Sequence, residues 1–111
     1  MTISYQDIAI EQASAADSTA YTIPSVNSAH IISAVVHNES ASNATITANI
    51  VQSGGSVGVT NQYLNNTIPA ETSVIMLELV NMVLKTGDFI SFRAGTANAL
   101  NVKLGIKEIT S

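Results

Sequence analysis

Near the end of the chain Leu100, Val102, Leu104 and Ile106 alternate with Asn101, Lys103, Gly105 and Lys107. A period of two predicts a β-strand with one face in a core and the other turned to polar surroundings. The pattern recurs upstream, where Ile46, Ala48 and Ile50 alternate with Thr45, Thr47 and Asn49 over 44–51. The denser run 29–37, with Ile31, Ile32, Val35 and Val36, reads as a central strand covered on both faces. Residues 74–80 read as a nearly continuous apolar strand broken only by Glu78, and 89–93 as another strand. Residues 57–63, weakened by Gly58, predict an edge or irregular strand.

Turn chemistry separates these runs. Pro24 lacks an amide donor and ends a strand at Tyr21-Thr22-Ile23, with a turn over 25–28. Further turns are expected at 38–43, at Ser53-Gly54-Gly55-Ser56, at Asn65-Asn66, after Ile68-Pro69, at Thr86-Gly87-Asp88 and over 95–98. Seven to nine short strands so punctuated predict an all-β, antiparallel sandwich of jelly-roll or immunoglobulin-like type, with a closed barrel as the alternative. No helix of ordinary length and no internal repeat is evident.

Residues 12–20 are small and polar with no apolar period, so 1–20 read as an extended N-terminal arm before a sandwich domain at 21–111. Within the arm, Ile3, Tyr5, Ile8 and Ile10 suit either a docked edge strand or apolar anchors for a neighbouring subunit. Asp7, Glu11 and Asp17 give this segment three of the chain's eight acidic residues.

The 111 residues suffice for one two-layer core. Aromatics are only 5% of the chain, so Ile, Val, Leu and Ala must fill that core. Charged residues are only 11%, and short polar side chains take their place, a surface suited to flat contact with partner subunits. Four basic residues, Lys85, Arg93, Lys103 and Lys107, against eight acids argue against nucleic acid as a partner. No apolar run approaches a membrane span and no export signal is visible. Cysteine is absent, which removes disulfides and thiolate ligands.

Candidate chemistry is sparse. His30 and His37 flank the 29–37 strand at opposite parity, too far apart to share a metal. Glu71, Glu78 and Asp88 lack the aromatic company of a sugar-cleaving carboxylate pair, and Asp88 suits a turn in which it binds nearby amides. There is no nucleophile elbow, calcium loop or phosphate cradle, so no catalytic, metal or cofactor site is assigned. Tyr5, Tyr21 and Tyr63 are the candidate platforms if the chain instead binds carbohydrate or a host surface.

The succession Tyr21-Thr22-Ile23-Pro24, an Ile/Val strand ending at Asn38, Ile68-Pro69-Ala70, Leu84-Lys85-Thr86-Gly87-Asp88-Phe89-Ile90 and Val102 to Ile109 resembles small all-β virion proteins of tailed bacteriophages. Glu71 stands where that pattern has glycine after Pro-Ala. The resemblance implies a non-enzymatic structural protein without cofactor, made in the host cytoplasm and carried on the virion. A capsid decoration, or cement, protein on the capsid exterior is the expected role. It would be a homotrimer that laces its arms onto the major capsid protein through Ile3, Tyr5, Ile8 and Ile10. A tail, neck or fibre-associated module is the alternative.

Overall fold

The computed structural model describes residues 1–26 and 28–110. Among the described residues nine strands form in order: β1 (Thr2–Ile10), β2 (Ser18–Thr22), β3 (Ser28–Asn38), β4 (Ala44–Val51), β5 (Gln62–Ile68), β6 (Ser73–Ile75), β7 (Val83–Leu84), β8 (Phe89–Ala94) and β9 (Leu100–Thr110). A 3-10 turn at Val59–Asn61 precedes β5.

The strands pack as two antiparallel sheets. One has the order β1-β9-β3-β6, with β7 also pairing β3, and the other has the order β2-β8-β4-β5. β6 and β7 lie along one edge of β3, against Val35–His37 and Ala29–His30 respectively, so together they fill one strand position. Eight positions in this order, with the chain crossing between sheets, make a jelly roll, the architecture common to many viral capsid and lectin domains.

Small aliphatic side chains fill the space between the sheets. Ile31, Ile46, Leu64, Ile68, Ile90, Leu100, Leu104 and Ile106 are buried there, and Phe92 is the one fully buried aromatic among the described residues. Polar groups inside are paired. Asn38, wholly buried, donates through Nδ2 to the carbonyls of Ser42 and Ile68, while its Oδ1 accepts from the amide and hydroxyl of Ser40. That side chain ties the end of β3 to the end of β5 and satisfies all four of its own bonding positions, so its burial leaves no desolvated group unpaired.

Local chemistry explains the turns. Gly54 and Gly87 adopt φ of +83° and +87°, the left-handed region where a Cβ is strained. Asp88 caps its turn as expected, its carboxylate accepting from the amides of Lys85 and Ser53. Of the turn expected over 25–28, Asn27 lies outside the described residues and Ser28 already belongs to β3.

Four expectations are corrected. The extended arm expected at 1–20 gives way to its alternative, a docked edge strand, residues 2–10 being paired along their whole length with β9, Thr2 opposite Thr110 through Ile10 opposite Val102, and the boundary drawn at residue 20 falls inside β2. The 29–37 strand is covered on one face only, since Ile32 and Val35 are exposed. The apolar run 74–80 is a strand only to Ile75. It then turns, and Met76 and Leu79, three residues apart, both reach the core while Leu77 points outward. Asn65 and Asn66 sit within β5 opposite Thr47 and Ile46, because pairing with β4 overrides their local turn preference.

Candidate interaction surface

From Ile3 to Ile10 along β1 the exposure alternates. Ile3, Tyr5, Asp7 and Ala9 face outward, while Ser4, Gln6, Ile8 and Ile10 face the opposite sheet, with Ile8 and Ile10 packed against the core. The four residues expected to anchor a partner are therefore divided between two faces. Ile3 and Tyr5 lie on the outer surface, and Ile8 and Ile10 hold β1 to its own domain.

Register places further residues beside Ile3 and Tyr5. Ile3 pairs with Ile109 and Tyr5 with Lys107, and Lys107 pairs with His30, which pairs with Val83. Ala9, Lys103, Val35 and Ile75 form a second row across the sheet. Between these rows Asp7, Gly105 and Ser33 line up. Gly105 borders an apolar-walled hollow of about 390 Å³, together with Asp7, Ser33, Val35, Lys103 and Leu104. Lys103 Nζ and Asp7 lie 3.5 Å apart at this hollow, an exposed pair that contributes little energy.

A bulge in β3 between Ile31 and Ser33 shapes the centre of this face. It turns Ile32 and Ser33 outward in succession and resets the alternation, so His30 and His37 share the outer face rather than opposing ones. Their partners Lys107 and Asn101 are six residues apart on β9, a separation of about 20 Å at strand rise, too wide for one ion. His37 Nδ1 instead lies 2.8 Å from Ser73 Oγ. Among the described residues, no group of three or more His, Cys, Asp or Glu side chains could hold a metal.

The opposite outer face is of different character. Thr19, Thr45, Asn65 and Thr67 present hydroxyls and an amide there, Arg93 lies 3.9 Å from Asp17, and Ser91 is buried. The loop before β5 also folds onto it: Asn49 donates to the Gly58 carbonyl and to Asn61 Oδ1, and is buried despite facing outward. One sheet thus hydrogen-bonds its own cover, while the β1-β9-β3-β6 sheet leaves Ile32, Val35, Ile75 and Val83 bare. An apolar patch left open in this way is what a protein contact surface requires.

The three tyrosines do not converge. Tyr5 lies on the open face, Tyr63 is the extra residue of a bulge in β5, and Tyr21 turns inward. Its hydroxyl donates to Glu108 Oε2 at 2.5 Å, while Gln6 Nε2 donates to Oε1 of the same carboxylate at 3.3 Å. Burial, with the adjoining carboxylate, pushes the Tyr21 phenol up to about 12. Sequence periodicity held one signal for this cluster, Glu108 at an inward position in an otherwise apolar series, but none for its partners on β1 and β2. Glu71, Glu78 and Asp88 are also dispersed. Glu78 accepts from Asn66 Nδ2, Asp88 caps its turn, and Glu71 lies exposed at another.

No family model matches the sequence, and no curated protein matches it. Solved structures do share its fold. A chain from the disulfide-linked pili of Bacillus endospore appendages aligns with TM-score 0.60 at 16% identity, covering 99% of this chain and 90% of that one. A chain of the T13 particle of infectious bursal disease virus aligns with TM-score 0.53 at 11% identity, covering 97% of this chain but 31% of that one. A chain of the Gx strain of the same virus gives 0.50 at 18% identity, covering 96% and 32%. What they share is the fold. This chain has no cysteine, so the disulfide linkage of those pili is chemically closed to it.

Proposed function

We propose that this protein is a non-enzymatic virion structural protein, a decoration protein that seats its open sheet face on the lattice of the major capsid protein. The observation that carries the reading is the inequality of the two faces: the strands of one are polar and roofed by a loop on which Val59 alone of the 3-10 turn exposes an apolar side chain, while the sheet of the other is itself bare at Ile32, Val35, Ile75 and Val83. The sequence resemblance to phage virion proteins and the occurrence of the same fold in a viral particle support it. Docking uses a rigid surface in place of a lacing arm, because residues 2–10 are committed to β9. Ile3 and Tyr5 extend the contact at the sheet margin. A protein that binds only the assembled lattice stabilises that state by mass action.

Co-sedimentation with undecorated capsids tests this. Wild-type protein is expected to pellet with the shells and raise their disruption temperature, and Ile75→Lys or Val83→Lys to abolish both effects. Full binding by both variants, or no binding by the wild type, would overturn the reading. The tail or neck alternative predicts a ring at one vertex rather than copies over the whole shell, which particle imaging distinguishes.

A further inference from the structure

Of the four sheet edges, three are guarded. β6 and β7 are three and two residues long. β2 has five residues and a register break between Thr19 and Tyr21, and the pairing of β5 is broken by its own bulge. Short or bulged edges resist pairing with another chain. β1 has none of these protections. It runs nine residues without a register shift, contains no proline, glycine, lysine or arginine, and its single charge is Asp7. Among the described residues, no strand pairs its second edge.

We propose that this edge binds a second copy of itself, β1 against β1, antiparallel about a two-fold axis perpendicular to the sheet. Only registers that oppose residues of equal parity keep the open faces of both copies on the same side. With Gln6 opposite Gln6, all nine residues find partners: Asp7 faces Tyr5 of the second copy, Ile3 faces Ala9, and Ile8 faces Ser4. Sliding by one register step toward the end of the strand sets Asp7 against Asp7, a like-charge opposition that destabilises a ladder. Sliding the other way leaves two residues of each strand unpaired. The favoured register therefore combines full overlap with separation of the only two charges. It makes one continuous sheet through both copies, with two open faces side by side. That doubled platform would let two individually modest contacts act together on a repeating surface.

The test is the mass of the full-length protein by sedimentation equilibrium or native mass spectrometry. Wild type is expected to be a dimer. Tyr5→Asp sets a carboxylate opposite Asp7 at two symmetry-related places and should raise the dissociation constant about tenfold or more. Tyr5→Lys, opposite the same Asp7, should keep the dimer, and combining Tyr5→Asp with Asp7→Lys should restore it. Tyr5 and Asp7 are exposed, so the thermal unfolding of each variant reports whether the protomer remains intact. A monomer at all concentrations, a trimer, or a dimer indifferent to Tyr5→Asp would overturn the proposal. Capsid binding is read separately through Ile75→Lys, which lies at the far edge of the sheet. A dimer without capsid binding would refute the decoration role alone, and capsid binding by a monomer would refute the edge pairing alone.

Discussion

The hydroxyl of Tyr21, on β2 of one sheet, donates to the carboxylate of Glu108, on β9 of the other, and so joins the two layers where the aliphatic core gives way to polar side chains. Gln6 on β1 completes the arrangement, so a carboxylate that is 4% exposed has donors from both sheets. Tyr21→Phe leaves Gln6 as its one side-chain donor among the described residues and is expected to cost about 1–3 kcal/mol, measured by urea unfolding at neutral pH. The Tyr21 phenol is raised from 10.0 to about 12, so the folded state holds its proton more tightly than the unfolded chain. The stabilisation is complete below pH 10 and is lost as pH rises through about 12. Ultraviolet titration should show one of the three tyrosines ionising late, and Tyr21→Phe should remove that late step.

The two faces of β1 make opposite demands on substitution. Ile8→Ala removes apolar contact with the core and should destabilise the fold by about 1–2 kcal/mol. Ile3→Ala, on the outer surface, should stay within about 0.5 kcal/mol. Chemical denaturation of the two variants side by side checks the division. Equal losses would mean that β1 is not seated as described.

Gly105 is crowded by its neighbours on β3 and has no unusual backbone angle. A Cβ there would lie 2.5 Å from Ser33 Oγ and 3.4 Å from Ile32 Cγ1, both delivered by the β3 bulge. Gly105→Ala forces the exposed Ser33 hydroxyl to rotate away and crowds Ile32, and should cost about 0.5–1 kcal/mol. Adding Ser33→Ala removes the offending oxygen and leaves carbons at 3.4 Å and 3.7 Å, so the double variant should recover most of the loss. A double-mutant cycle measures that recovery, and strict additivity would show the contact to be unimportant.

Glu71 has φ of +54° in the turn after Pro69-Ala70, the position where the resembled phage pattern has glycine. The left-handed conformation is adopted all the same, because the Glu71 amide donates to the Ser40 carbonyl and the neighbouring Asn38 amide to the Thr72 carbonyl. Glu71→Gly should relieve the strain and raise stability by about 0.5–1 kcal/mol, read as a higher denaturant midpoint.

Much of this architecture is legible from residue pattern alone. The alternation over 44–51 and 100–106 specifies which side of β4 and β9 enters the core. The scarcity of aromatics determines that the core is aliphatic, and Gly87-Asp88 encodes its own turn through a left-handed glycine and a carboxylate that binds local amides. These features depend on neighbours in sequence, where steric and hydrogen-bonding preferences act directly. Only the tertiary structure decided that residues 2–10 belong to a sheet, that a bulge at Ile32 brings His30 and His37 to one face, and that Glu108 meets Tyr21 inside. Periodicity tells a strand which way to face but not which strand lies beside it. The partners of β1, β3 and β9 lie far away along the chain, and the free energy of their pairing is available only once the two sheets have closed over the core.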